Sequence, residues 1–180
     1  MFKRRVIFMI SAALLGLVPA CGNKVSNSAP PTQVAKTQQP PKEPSALPNN
    51  AFKAAISLID PPAKLRTGEK ETIRVNIRNN SDAMWWARGA PVNTRSDNKF
   101  YIAAGNRWLK ADGSLVTNMD GRYGIPKDLA PGEATEVPLT ITAPKDPGDY
   151  TLEVDVIQEQ VAWFSDKGSP TAKTKITVVK

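Results

Sequence analysis

The sequence predicts an all-β fold, namely an immunoglobulin-like antiparallel β-sandwich of seven or eight strands. Two observations lead to this prediction. Apolar and polar residues alternate in short runs between residues 51 and 180, and residues that favour turns bound each run. No segment of that region keeps the 3.6-residue apolar period of an amphipathic helix. Short strands at such spacing are typical of two facing sheets around one core.

The alternating runs place the individual strands. The clearest run is 73–77, where aliphatic residues alternate with polar ones and the turn 79–82 follows. Tyr150 directly follows the turn 147–149, which predicts a tyrosine corner whose hydroxyl binds the backbone of that turn. The other predicted strands are 54–58, one opening at 84–86, 99–103, 107–110 after a turn at 105–106, 137–141, 150–156, 161–164 and 173–179.

The first 20 residues have the features of an export signal. Positive charges at 3–5 precede 13 largely apolar residues at 6–18, too few to span a bilayer as a helix. Residues 18–21 read Val-Pro-Ala-Cys and resemble the lipobox of bacterial lipoproteins. The resemblance implies a lipoprotein signal peptide over 1–20 and acylation of Cys21, with palmitate-type chains holding the protein to a membrane. Ordinary cleavage that leaves a free thiol is the alternative.

Residues 21–50 are predicted to be the lipidated cysteine and a disordered tether. Six prolines and many Gln, Ser, Thr and Asn fill this stretch, which has no aromatic residue. In a polyproline conformation the tether reaches on the order of 90 Å. The predicted division is therefore a signal peptide at 1–20, a linker at 21–50 and an Ig-like sandwich at 51–180.

Composition restricts the chemistry that this chain can perform. It contains no histidine and one cysteine, which excludes a Ser-His-Asp triad, a Cys-His pair and metal sites built on those residues. We expect no catalytic residue, no metal and no cofactor. Glu153, Asp155 and Glu159 lie close in sequence, as glycosidase carboxylates would, but we interpret Glu153 and Asp155 as a solvated strand face. The net charge is +7, and three of the positive charges belong to the export signal. The rest of the chain has no dense run of Lys and Arg, so no nucleic-acid partner is expected.

Aromatic and arginine residues are the candidate binding residues. Trp85 and Trp86 are adjacent on a predicted strand, so their side chains must point to opposite faces. We interpret residues 88–130 as an insertion whose rings either form a secondary core or line an exposed groove for a sugar or peptide. The candidate ligand-binding residues are Trp86, Trp108, Trp163, Tyr101, Tyr123, Arg88, Arg107 and Arg122.

Three motifs carry a family resemblance. The run 73–85, ending in Asn-Asn-Ser and Trp85, is similar to the opening of the four-tryptophan (FW) immunoglobulin-like domain. The corner 129–133 (Leu-Ala-Pro-Gly-Glu) and the Pro-Gly-x-Tyr turn at 147–150 also resemble that family, and the likeness covers most of residues 70–168. The resemblance implies that Trp85 lies inside the sandwich, with Trp86 outside. It also implies a binding or accessory module rather than a catalyst.

Together these observations predict a membrane-anchored, non-catalytic binding module of the cell envelope, contacting polysaccharide or an exported protein partner. A structural or assembly lipoprotein of an envelope or secretion complex is the alternative, using sheet edges as contacts. An envelope-sugar hydrolase is the third hypothesis. The residues after Cys21 are Gly22 and Asn23, and neither is the aspartate that resembles an inner-membrane retention signal. We therefore expect the protein at the outer membrane, facing the periplasm or the cell surface.

Overall fold

The computed structural model describes residues 43–88, 96–117 and 121–180. The predicted signal peptide, Cys21 and most of the predicted tether lie outside the described residues. No helix in the described ranges is long and apolar enough to cross a bilayer. Strands dominate, which confirms the all-β prediction. They are β1 (Ala54–Ile59), β2 (Lys64–Arg66), β3 (Lys70–Asn79), β4 (Ile102–Leu109), β5 (Leu115–Thr117), β6 (Arg122–Gly124), β7 (Ala134–Thr142), β8 (Gly148–Gln158), β9 (Ala162–Trp163) and β10 (Ala172–Val179).

The strands form two sheets. The smaller sheet has the order β1-β3-β7, and the larger has the order β2-β10-β8-β4-β5, with β6 also paired to β4 and β9 to β8. This division of strands between two sheets is immunoglobulin-like. The prediction of antiparallel strands holds for every described pair except one, because β2 runs parallel to β10.

The tyrosine corner is confirmed. The Tyr150 hydroxyl donates a hydrogen bond of 2.9 Å to the backbone oxygen of Asp146, four residues earlier. The ring of Tyr150 also meets the indole of Trp108 edge to face, with centroids 6.3 Å apart. The start of β8 is therefore tied both to its own turn and to β4.

The core lies between the two sheets. Ile73, Val75 and Ile77 alternate inward along β3, each no more than 3% exposed, as the period of two predicts. Burying each such aliphatic side chain contributes about 1.5–3 kcal/mol. Trp85 is fully buried, and its ring packs edge to face on Phe164 at 5.0 Å. The placement of Trp85 inside the sandwich is confirmed.

Two predictions about residues 84–110 are wrong. Residues 84–86 open no strand, since Trp85 forms only an isolated bridge with Leu129. Residues 105–106 form no turn but lie in the middle of β4. A Cβ on Gly105 would lie only 2.7 Å from the Trp163 indole, so this glycine permits close packing on a strand. Because β4, β5 and β6 belong to the larger sheet, the described strands within 88–130 are part of the sandwich, and the interpretation of them as an insertion is wrong.

The chain is attached to the sandwich before residue 51. The buried amide of Gln158 accepts a hydrogen bond from the Leu47 N–H and donates one to the Ser45 oxygen, both at 2.9 Å. The same amide nitrogen donates to the Phe100 oxygen at 3.0 Å. Leu47 also packs against the core. One side chain of β8 therefore holds the incoming segment against the domain.

Candidate functional site

The outward-facing residues of β8 and β4 form a cluster on the larger sheet. Along β8, Leu152, Val154 and Val156 join the core, so the alternating residues Glu153, Asp155 and Ile157 face outward. On the neighbouring strand β4, Gly105 pairs with Asp155 and Arg107 with Glu153. We call Arg107, Arg122, Glu153, Asp155, Glu159 and Trp163 the outer-face cluster.

Trp163 lies at the centre of the outer-face cluster. Strand β9 pairs Trp163 with Ile157 of β8, which brings the indole over the sheet. The guanidinium carbons of Arg107 and Arg122 lie 4.7 and 4.9 Å from the ring. Such cation–π contacts contribute about 0.5–2 kcal/mol each, more when water is excluded. The half-buried ring is therefore held between two arginines and against the Gly105 backbone.

Both arginines are paired with carboxylates. Arg107 contacts Asp155 at 3.2 Å and Glu153 at 3.7 Å, and it also donates to the Ser165 hydroxyl at 3.2 Å. Arg122 donates to both carboxylate oxygens of Glu159 at 2.7 Å. The side chains of Asp155, Glu153 and Glu159 are only 0%, 10% and 3% exposed. The interpretation of Glu153 and Asp155 as a solvated face is therefore wrong.

The two carboxylates around Arg107 differ in acidity. Burial raises the pKa of Asp155, and hydrogen bonds from Ser165 and the Val156 N–H offset only part of that effect. Burial also acts to raise the pKa of Glu153, but bonds from Lys173 and Thr171 outweigh it and leave that pKa lowered. The pKa values of these two carboxyl groups, on one face of β8, are therefore shifted in opposite directions.

A shallow apolar depression adjoins the outer-face cluster. It has a volume of about 350 Å³, and Ile157, Val161 and Ala162 line it together with Trp163. Val161 is 40% exposed, although it is a large aliphatic residue. Arg122, Glu159 and Asp166 also line the depression, so an apolar floor lies beside charged groups. This combination suits a partner that inserts an apolar side chain.

The structure brings together only some of the candidate residues. Trp163, Arg107 and Arg122 are in contact, whereas Trp108 is fully buried. The selection of Trp108 as a ligand-binding residue is wrong, because position 108 points inward on β4 and packs on Tyr150. Tyr123 packs partly against the same core.

The remaining candidates lie outside the outer-face cluster. Arg88 forms a 2.6 Å ion pair with Asp97 and lies 5.7 Å from the Tyr101 ring. Trp86 is half-buried in a separate depression with exposed Met84 and the segment 45–48.

Sequence reasoning missed the carboxylate partners and Gly105 as parts of this site. Arg107 and Asp155 are 48 residues apart, and only the pairing of β4 with β8 places them together. The one available signal was alternation, since Glu153 and Asp155 fall on the face opposite the apolar residues. Among the described residues, no group of three or more Cys, Asp or Glu could hold a metal ion.

Comparisons with known proteins show only loose likenesses. No protein-family model matches the sequence. No curated protein matches it as a relative. The CARDB domain of a Pyrococcus furiosus protein is 14% identical with a TM-score of 0.40, over 71% of this chain and 94% of that one. The sporulation control protein Spo0M from Bacillus subtilis is 14% identical with a TM-score of 0.36, over 71% of this chain and 49% of that one.

A third likeness is to a β-glucosidase from Listeria innocua, at 14% identity and a TM-score of 0.40. It covers 71% of this chain but only 16% of the enzyme. The immunoglobulin-like assignment rests on the strand order and the tyrosine corner.

Proposed function

We propose that this protein is a lipid-anchored, non-catalytic binding module of the cell envelope. The observation that carries the proposal is the outer-face cluster, where a half-buried indole is fixed between two paired arginines beside an apolar depression. Rigid aromatic groups with fixed polar neighbours are typical of binding surfaces. The lipobox at Cys21 supports the anchor, and the resemblance to FW modules supports a binding role.

The bonding of the carboxylates supports a non-catalytic role. A general acid or base must reach the proton that it transfers. Asp155 is buried beneath Arg107, and Arg122 holds both oxygens of Glu159. Neither carboxylate therefore presents an accessible, free oxygen of the kind that sugar hydrolysis needs.

Of polysaccharide and protein, the geometry favours a protein partner. Two guanidinium groups already contact the Trp163 ring, which leaves less of its surface for stacking on a sugar. The neighbouring aliphatic floor, with Val161 at its exposed rim, suits an apolar anchor residue from an exported protein.

A photocrosslinking experiment in cells tests this surface. A benzophenone amino acid at Val161 of the full chain should capture a defined partner, and the same probe at exposed Lys145 should not. Gly105→Ala should abolish the Val161 crosslink, because the added methyl group displaces the indole without removing it. A Val161 crosslink that survives both Gly105→Ala and Trp163→Ala would contradict the proposed surface, as would retention on envelope glycans without any protein capture.

The lipid anchor requires a separate experiment. When cells are fed an alkyne-labelled fatty acid, the parent chain should incorporate the label and the Cys21→Ala variant should not. Equal labelling of both chains, or no labelling of either, would reject acylation at Cys21 without affecting the outer-face cluster.

The alternative, a structural or assembly lipoprotein, has one observation in its favour. The short edge strand β5 exposes Leu115 at 52% and Val116 at 38%. Exposed aliphatic residues on a sheet edge suit strand addition by a partner. If Val116→Lys abolishes a stoichiometric complex that Trp163→Ala leaves intact, this alternative replaces the outer-face proposal.

A further inference from the structure

A second depression lies where the chain enters the first strand. It has a volume of about 400 Å³, and three separate segments line it: residues 49–54, Asn80 and residues 167–170. Its polar lining consists of Asn49, Asn50, Asn80, Lys53, Lys167 and Ser169. We call it the lysine–amide depression.

The charges of the lysine–amide depression all have one sign. No aspartate or glutamate is among its lining residues. Within the described part of the chain, neither Lys53 nor Lys167 has a carboxylate within ion-pair distance. Arg107 and Arg122, by contrast, are both neutralised by acidic partners. The two ammonium groups therefore remain available to an anion.

The frame of the depression is held rigid by hydrogen bonds between its segments. The Asn80 N–H donates to the Lys53 oxygen at 2.9 Å. The Ser169 hydroxyl accepts a bond of 3.0 Å from the Ala54 N–H. Lys167 lies 5.9 Å from the Phe52 ring, which orients its ammonium. These contacts fix the positions of the lining residues without using the three asparagine side chains.

We propose that the lysine–amide depression binds a phosphate group flanked by hydroxyls. Lysine ammonium groups bind phosphate as point charges. Carboxamides both donate and accept hydrogen bonds, which matches hydroxyl groups. The volume accommodates a phosphate with a glycerol or sugar unit. This site shares no residue with the outer-face cluster, so it stands whether or not the cluster binds a protein.

NMR titration of the full chain in a neutral detergent tests the site, with a glycerol-phosphate oligomer as the probe and dextran as the uncharged comparison. The oligomer should shift the signals of Asn49, Asn50, Asn80 and Gly168 saturably, and dextran should not.

Lys53→Gln with Lys167→Gln should weaken binding about tenfold. The matched pair Lys127→Gln with Lys145→Gln removes the same charge from exposed turns and should change binding less than about twofold.

A third variant lowers the local charge without removing either lysine. Asn80→Asp should also weaken binding, because it places a carboxylate in a lining whose charged residues are otherwise two lysines. Vesicles of phosphatidylglycerol, compared with phosphatidylcholine, distinguish the source of the phosphate. Binding to these vesicles but not to the oligomer assigns a lipid headgroup, and the reverse assigns a soluble or wall polymer.

Three results would overturn the proposal. The first is equal binding by the parent and the Lys53/Lys167 variant. The second is an equal loss in the Lys127/Lys145 control, which would mean that net charge alone attracts the probe. The third is the absence of any saturable shift when either phosphate probe reaches about 10 mM. A specific site of this kind requires a higher affinity than that concentration would test.

Discussion

The inner and outer faces of the larger sheet are built from the same strands, β8 and β4, yet they are buried by different chemistry. Inward, Leu152, Val154 and Val156 join an aliphatic core. Outward, Asp155 is as fully buried as they are, but it lies beneath an arginine. Apolar burial is non-directional, whereas a buried charge needs its particular partner. The inner face therefore secures the fold, while the outer face holds side chains in fixed positions.

The largest expected effect comes from the indoles of the two faces. Trp108→Ala empties a fully buried site and should lower the free energy of unfolding by about 3–5 kcal/mol. Trp163→Ala removes a half-buried ring and its cation–π contacts and should cost about 1–2 kcal/mol. Urea unfolding of both variants measures the difference. Equal losses would mean that the outer face is as much a part of the core as the inner face.

An intermediate effect is expected from breaking the buried ion pair. Arg107→Met leaves the buried Asp155 carboxyl group without its guanidinium partner and should cost about 2–3 kcal/mol. Replacing both partners, Arg107→Met with Asp155→Leu, should recover part of that loss, because the buried carboxyl group is gone although the N–H groups of Val156 and Ser165 lose their acceptor. Denaturant unfolding of the two single variants and the double variant forms the cycle. Additive losses would show that the pair has no coupling.

The smallest expected effect is on the dependence of folding stability on pH in the acid range. The lowered pKa of Glu153 stabilises the fold above the unfolded value of that group, and this contribution is lost as the pH falls through the folded pKa. The raised pKa of Asp155 acts oppositely, because its contribution is full below the unfolded value and is lost as the pH rises through the folded pKa.

Stability measured against pH across the acid range separates these two carboxylates. Glu153→Gln should flatten the rise of stability with pH, and Asp155→Asn should steepen it. The slopes are compared rather than the absolute stabilities, since each variant also alters the contacts of Arg107. Slopes that change in the same direction would contradict the opposite pKa shifts.

The fold could be predicted where side-chain period decides it. Ile73, Val75 and Ile77 repeat every second residue, and β3 lies where that run predicts. The Pro-Gly turn before Tyr150 likewise predicted the corner bond. Gly105 shows where local reasoning fails. A glycine beside an asparagine suggests a turn, but here a ring from a distant strand needs the space above the backbone.

The candidate site could be predicted only in part, because its contacts are long-range. Composition singled out Trp163, Arg107 and Arg122, and the structure brings these three together. Periodicity does not state which strands are neighbours, so the pairing of Arg107 with Asp155 required the strand order. The same limitation placed Trp108 among the binding residues, although its position in the alternation of β4 points it inward.

The Gln158 amide has a mechanical consequence. Tension along the chain from its N-terminal side would otherwise load β1, an edge strand that could peel from β3 one bond at a time. The bonds to Ser45 and Leu47 instead deliver part of that load to β8, which is hydrogen-bonded on both sides. Pulled from this end, the domain therefore loads the Gln158 bonds to β8 before β1 begins to peel from β3.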